Sequence, residues 1–427
     1  MGQEHKLTTG EILRNVRVAK DLSQETLAKK ILCHHTIISK IEKGDRECTN
    51  EMLFDMKKAM DAEILPLFDN ELEHFELKLQ EWYHVINERE WGKAKKMQEK
   101  LAVITFNTNA KELNMLYSLF DCKLLLGQDD LKGAKSILDA LDAQADGLRD
   151  MPLYHYYFNK GTYETKNKRN KEALNFYLEA YKLMKGRFEK DITLYTNIAY
   201  CYRELGLFSR AISFLEEARK FVKNEDSIPE FNMYNSLATL NIQTGRLQDA
   251  KNFLDICLTK AKNMGKKRYI GIALLNYGFL HRVNKDWNIS IEYFDKALET
   301  FEKKERNYLE ALYQKILCLI QIQYFTAAVK LLSEAMAWAR DNEEYTISFE
   351  SLKHLLTPNA KDSIEYIESV TVPYLVKNYY YYAALDFCSF LREYYSKKRI
   401  SRQAKALEIA EIVWDIHSKM YEGGVIK

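Results

Sequence analysis

The sequence predicts an all-α protein with a small helical head, residues 1–66, and a long array of paired helices, residues 67–427. Three observations carry this reading. Glycine and proline are scarce, 16 and 5 in 427 residues, which argues against turn-rich β architectures and for long helices. Small residues return at intervals near 39 from Ala94 onward, the mark of stacked structural repeats. The opening residues fit several short amphipathic helices into about 60 positions. With 47% apolar and 29% charged residues, the chain is too apolar for disorder and too long for one core.

Charge and cysteine usage narrow the function classes. The net charge is +2, from 63 basic and 61 acidic residues, which excludes a globally basic nucleic-acid coat. Residues 1–46 nevertheless hold nine Lys/Arg against six Asp/Glu, so the excess of positive charge lies in the head. The seven cysteines lie far apart except Cys33 and Cys48, with no C-x-x-C. They read as buried thiols of a reducing compartment, not as a disulfide or zinc framework. Met1–Gly10 has no apolar run of the kind a secretory leader needs, and no stretch approaches the ~20 apolar residues of a membrane span. A cytoplasmic protein off the membrane is expected.

In the head, Thr9 can cap a helix to about Lys20, with Ile12, Leu13, Val16 and Ala19 on one face. Ser23 caps a second helix carrying Leu27, Ala28 and Ile31. After the turn Leu32-Cys33-His34, a third helix runs from His35 to Lys43 and stops at Gly44. A fourth, about Asn50–Met60, closes the small core. Two short helices joined by a turn of this length form a helix-turn-helix.

The segment Leu22-Ser-Gln-Glu-Thr-Leu-Ala28, followed by Ile37-Ile-Ser-Lys-Ile-Glu-Lys-Gly44, resembles the repressor-type (lambda/Xre-like) helix-turn-helix family. The resemblance implies that His35, Thr36 and Lys40 face bases in the major groove. It implies phosphate contacts from Gln24 at the start of the second helix, with Lys43 and Arg46 adding to them. Arg17 and Glu42 match a structural ion pair. One departure is Leu32, where the family usually has glycine, so a strained turn is expected.

Beyond the head, Ala94, Ala134, Ala173, Ala211, Ala250, Ser290 and Ala328 are separated by 40, 39, 38, 39, 40 and 38 residues. A large residue follows four positions later, as in Tyr177, Leu215 and Phe294. Twelve positions upstream stands another small one, as in Gly161, Ala199 and Gly278. Antiparallel helices that cross closely need a small residue at the crossing and a large one opposite. This is a tetratricopeptide pattern, lengthened from its usual period of about 34 by roughly one helical turn. Weaker units around Ser363 and Ala404 bring the number to about nine, in a right-handed superhelix. Tyr379–Tyr382 and the helix Ala404–Trp414 are read as the C-terminal cap. Pro66 is read as the hinge between domains, and Pro152, Pro229, Pro358 and Pro373 as breakers between helices.

Such a superhelix has a hollow inner face suited to an extended peptide. Asn159, Asn197 and Asn276 share one first-helix position, with Asn235 one residue off. An amide donates and accepts at once, so these residues can read peptide main chain. Tyr200, Arg203 and Arg282 share that surface and are suited to set polarity or clasp a carboxylate.

Head and repeats together resemble the RRNPP family of peptide-pheromone receptors of Gram-positive bacteria, within it the NprR-like members. The resemblance implies a quorum-sensing transcription regulator that binds operator DNA as a homodimer or higher oligomer. A short imported signalling peptide in the repeat groove would switch it. The alternative is a Rap-like protein that binds and inhibits, or dephosphorylates, a sporulation response regulator, also as a second activity of the same chain. That work needs a glutamine on the early helices, such as Gln80 or Gln98. No glycine-rich phosphate loop, metal-ligand cluster or nucleophile elbow is present in the sequence. No enzyme, cofactor or metal is therefore expected.

Overall fold

Local caps and one buried stripe per helix account for the computed structural model, which describes residues 9–60, 69–106, 111–142, 148–185, 190–223, 225–356, 360–378, 380–396 and 411–412. Among these residues every regular element is helical, as the sequence predicts. None of these helices is long and apolar enough to cross a membrane. The chain divides into two compact units, Met1–Asn159 and Lys160–Lys427.

The head consists of α1 (Thr9–Ala19), α2 (Gln24–Lys30), α3 (His35–Lys43) and α4 (Asn50–Ala59). Ser23 Oγ accepts the Thr26 N–H at 3.0 Å, and Thr49 Oγ1 accepts that of Met52 at 3.3 Å; each such cap contributes about 1 kcal/mol. Gly44, at φ +79°, ends α3 in the left-handed conformation that glycine adopts without penalty. Leu13, Leu27, Ile38, Ile41, Leu53 and Met56 form the core.

The turn between α2 and α3 carries the expected strain. Leu32 sits at φ +52° with its side chain 95% exposed, so nothing apolar compensates the left-handed backbone. Leu32→Gly is expected to stabilise the head by about 1 kcal/mol. The measurement is the denaturation midpoint of the full chain, and a lowered midpoint would show that the isobutyl group is held by contacts.

The repeats follow as pairs: α5 (Asp69–Asn87) with α6 (Trp91–Phe106), α7 (Lys111–Gly127) with α8 (Leu131–Asp142), α9 (Asp150–Lys166) with α10 (Asn170–Met184), and α11 (Ile192–Glu204) with α12 (Phe208–Arg219). Next come α13 (Ile228–Gln243) with α14 (Leu247–Asn263), α15 (Lys267–Val283) with α16 (Trp287–Leu298), and α17 (Arg306–Gln321) with α18 (Phe325–Trp338). The last described elements are α19 (Glu343–Leu356), α20 (Ala360–Tyr366), a π-helical turn Ile367–Thr371, α21 (Val372–Lys377) and α22 (Tyr381–Ser396).

The seven leading small residues, Ala94 to Ala328, are each 0% exposed. The upstream small positions meet the large ones as the spacing requires. A Cβ added to Gly161 would lie 2.6 Å from the Tyr177 ring, and one added to Gly278 would lie 2.3 Å from the Phe294 ring. In the first repeat the close approach serves a polar need: the buried Trp82 indole donates to the Ala94 carbonyl at 2.9 Å. Each turn inside a pair holds one left-handed residue. These are Arg89, Asp129, Lys168, Gly206, Gly245, Lys285 and Gln323, in the same 38–40-residue register as the small positions.

In the second unit, α11, α13, α15, α17 and α19 pack on one another as well as on their own partners. The first helices of the pairs therefore form the inner layer. A buried ion pair lies under α13 and α14, where Lys260 Nζ meets Glu230 Oε2 at 2.7 Å with side chains 9% and 3% exposed. Glu230 Oε1 accepts the backbone N–H groups of Lys223 and Glu225, and Lys260 also donates to the Glu225 carbonyl. Lys168, in the turn after α9, donates to the Asn378 carbonyl at 3.2 Å and lies 3.5 Å from the Tyr380 ring centre.

The prolines behave differently from the expectation. Pro152, Pro229 and Pro373 stand in the first turns of α9, α13 and α21 rather than between helices. At Pro152 and Pro229 the missing N–H would lack a helical partner in any case. Pro373 lies two residues past the π-helical turn, inside a helical path that runs from α20 into α21 without a break. Pro66, Pro358, Tyr379 and all of Ala404–Trp414 except Glu411 and Ile412 lie outside the described residues.

Candidate DNA-binding face and ligand cavity

The outer face of α3 carries His35, Thr36 and Lys40, all exposed, while Ile38, Ile41 and Glu42 point inward. Lys43 and Arg46 are exposed just beyond. His34 caps the helix: its Nδ1 lies 2.9 Å from Thr36 Oγ1, and its ring centre lies 4.6 Å from that of His35. The start of α3 thus gathers two imidazoles and a hydroxyl at the end of the helix where anions are favoured.

Arg17 grips Glu42 with two hydrogen bonds, 2.6 and 2.8 Å, and donates to the Leu22 carbonyl. This is the structural ion pair the resemblance implies. Gln24 Nε2 donates to Glu42 Oε2 at 2.7 Å, so it links α2 to α3 and keeps a second amide hydrogen. Burial pushes the Glu42 carboxyl up, but the bonds from Arg17 and Gln24 outweigh it and hold it below the ordinary glutamate value.

In the second unit a cavity of about 400 Å³ opens on the inner helices, a size typical of ligand pockets. Arg203 (α11), Asn276 and Arg282 (α15), Arg306 and Gln314 (α17) and Asp386 (α22) line it, beside apolar Ile242, Phe279 and Leu385. Its charges are arranged in pairs. Arg282 Nη1 and Nη2 reach Asp386 Oδ1 at 3.3 and 3.2 Å, and Arg306 meets Glu344 at 3.0 Å. Glu310 accepts from the Tyr345 hydroxyl and from Gln314 Nε2. Burial lifts the Asp386 and Glu344 carboxyls above their ordinary values, more than the neighbouring arginines draw them down. These acids are poorly served by their partners.

A helix-turn-helix family profile matches residues 13–65, and a tetratricopeptide repeat profile matches residues 192–218. Regulatory protein RapD of Bacillus subtilis (strain 168) is 24% identical over 301 residues, spanning 67% of this chain and 84% of RapD. Among solved structures, a Rap protein complexed with Competence and Sporulation Factor superposes with TM-score 0.70 at 17% identity, covering 82% of this chain and 99% of that one. The apo quorum sensor NprR from B. thuringiensis gives 0.65 at 19%, covering 81% and 99%. NprR in complex with its cognate peptide NprX gives 0.61 at 19%, covering 80% and 99%. The chain is a helix-turn-helix head on a tetratricopeptide-like body, with the fold of the Rap and NprR structures.

Within this tetratricopeptide-like body the residues singled out from sequence have different fates. Arg203, Asn276 and Arg282 line the cavity. Asn235 accepts from the Asn276 amide at 2.6 Å, and Asn197 donates to the Tyr177 hydroxyl at 3.3 Å. Tyr200 is exposed beneath the Arg203 guanidinium, 5.0 Å away, which in turn pairs with Glu204. Asn159, in the first unit, is 1% exposed and donates to the Leu119 carbonyl at 2.6 Å. The uniform asparagine surface expected from the register is thus three environments: buried, paired and cavity-lining.

Sequence reasoning missed Gln314 although its register was available. Gln314 precedes Ala328 by the same fourteen residues that separate Asn197 from Ala211 and Asn276 from Ser290. It is the next amide in the series, one methylene longer. On the early helices, Gln98 donates to Asp121, while Gln80 is exposed and reaches Glu76 at 3.5 Å.

Proposed function

We propose that this chain is a DNA-binding transcription regulator switched by a short peptide held in the repeat cavity. The observation that carries the reading is the cavity itself, on the inner helices of a repeat body that follows a head with an open recognition face. Arg203, Asn276 and Arg282 in its wall, with Asn197, Tyr200 and Asn235 alongside, supply the amides and cations that an extended main chain and its ends require. The likeness to NprR, solved with a cognate peptide, supports the same use of the fold. Switching requires that the peptide bind the DNA-competent and incompetent arrangements with different free energy.

On the head, His35, Thr36 and Lys40 read bases, and Gln24, Lys43 and Arg46 hold phosphates, in a dimer that spans two half-sites. A duplex selected from a random pool by the intact chain provides the test. In gel shifts, Thr36→Ala and Lys40→Ala are each expected to weaken the selected site about tenfold or more. Lys43→Ala should weaken selected and unrelated duplexes alike. Undiminished binding by both α3 variants would overturn the recognition-helix assignment. A second reading, action on a response regulator, rests on the likeness to Rap proteins. Gln80 is the exposed early glutamine it would use.

A further inference from the structure

One contact in the cavity wall, between Arg282 and Asp386, is an imperfect one. Arg282 spends two of its N–H groups on a single oxygen of Asp386, at 3.2 and 3.3 Å. A good arginine–carboxylate pair is bidentate and nearer 2.8 Å. Arg282 Nε is buried and meets no acceptor among the described residues. Asp386 reaches Arg282 from α22, 104 residues away in sequence, and α22 packs on α21 and the π-helical turn. The fork of Arg282 is thus half filled by a carboxylate borrowed from another part of the chain.

A second atom in the same wall is unmatched, and with the opposite polarity. Gln314 is 4% exposed, and its Nε2 is fixed on Glu310 Oε1 at 2.9 Å. Its Oε1 therefore faces away from that acid, and it has no donor among the described residues. A buried acceptor and a buried donor left open in one cavity call for a ligand that carries both kinds of group. The end of a peptide does so, with its terminal carboxylate and its last amide N–H.

We propose that Asp386 is an internal stand-in for the terminal carboxylate of the peptide, which displaces it from Arg282 and so detaches α22 from α15. The ligand class is then an oligopeptide with a free C-terminus. Its carboxylate takes the guanidinium fork including Nε, and its last N–H donates to Gln314 Oε1. This deepens the peptide reading above and rests on it.

The probe is a randomised hexapeptide pool made once as free acids and once as C-terminal amides, each applied to the immobilised full chain and read by mass spectrometry. Free acids are expected to be retained about tenfold over amides, the usual weight of one charge-assisted bidentate contact. Asp386→Asn, which keeps the shape and removes the competing charge, should raise retention of the acids several-fold and speed hydrogen exchange across α22. Arg282→Lys, which keeps the charge and removes the fork, should bring acids down to the level of amides. Equal retention of the two pools, or acid retention unmoved by Asp386→Asn, overturns the proposal while leaving the peptide reading standing. Retention of neither pool by a chain with native helical signal overturns both.

Discussion

Gly278→Ala is expected to lower the stability of the second unit by roughly 3 kcal/mol, although alanine is the better helix former by about 1 kcal/mol. The sign is decided by space. The added Cβ would stand 2.3 and 2.5 Å from two carbons of the Phe294 ring, and Phe294 is 0% exposed, so the ring has nowhere to go. Gly92→Ala supplies the contrast, since a Cβ there meets nothing within 4 Å, and a gain of about 0.5 kcal/mol is expected. Repeats with alanine at the upstream position pair it with leucine, as in Ala199 with Leu215 and Ala238 with Leu254. Gly278→Ala combined with Phe294→Leu should therefore recover much of the loss, a coupling that urea denaturation of the single and double variants measures. If Gly278→Ala alone raises the midpoint, the close crossing of α15 and α16 is wrong.

The second large effect is at the ion pair under α13 and α14. Glu230→Ala leaves the Lys260 ammonium, 9% exposed, with the Glu225 carbonyl and, at 3.9 Å, the half-exposed Asp226 carboxylate, and removes the acceptor of the Lys223 and Glu225 N–H groups. A loss of about 3–5 kcal/mol is expected, because breaking one side of a buried pair strands the other charge. Replacing both partners, Glu230→Met with Lys260→Met, should cost clearly less than Glu230→Ala alone, since no charge is then stranded. Equal losses for the single and double variants would show that packing, and not the stranded charge, sets the effect.

Much of the fold was legible because it rests on local and periodic signals. Ser23 and Gly44 sit where short-range capping dictates, and the small residues from Ala94 to Ala328 had to be buried wherever helices cross. The prolines misled because proline both ends and begins helices; Pro152 and Pro229 take the second role, and Pro373 sits where a π-helical turn precedes it. The cavity was only half legible. Arg203, Asn276 and Arg282 follow from the register of the first helices, and Gln314 would have followed had the longer amide been counted as equivalent. Asp386 could not be found this way, since its pairing with Arg282 spans 104 residues and belongs to no period. Arg306 and Glu344 likewise fall outside any pattern of asparagines, and their role rests on the packing of α17 beside α19.

The left-handed turn residues have an evolutionary corollary. Because Gly206 and Gly245 hold the same backbone state one repeat apart, excising residues 207–245 would rejoin the chain at an equivalent point, with Arg246 in the place of Leu207. A gene for such a protein can shorten or lengthen by in-frame recombination between neighbouring units without inventing a new junction. The number of repeats is then free to drift among descendants, while the spacing within each one is not.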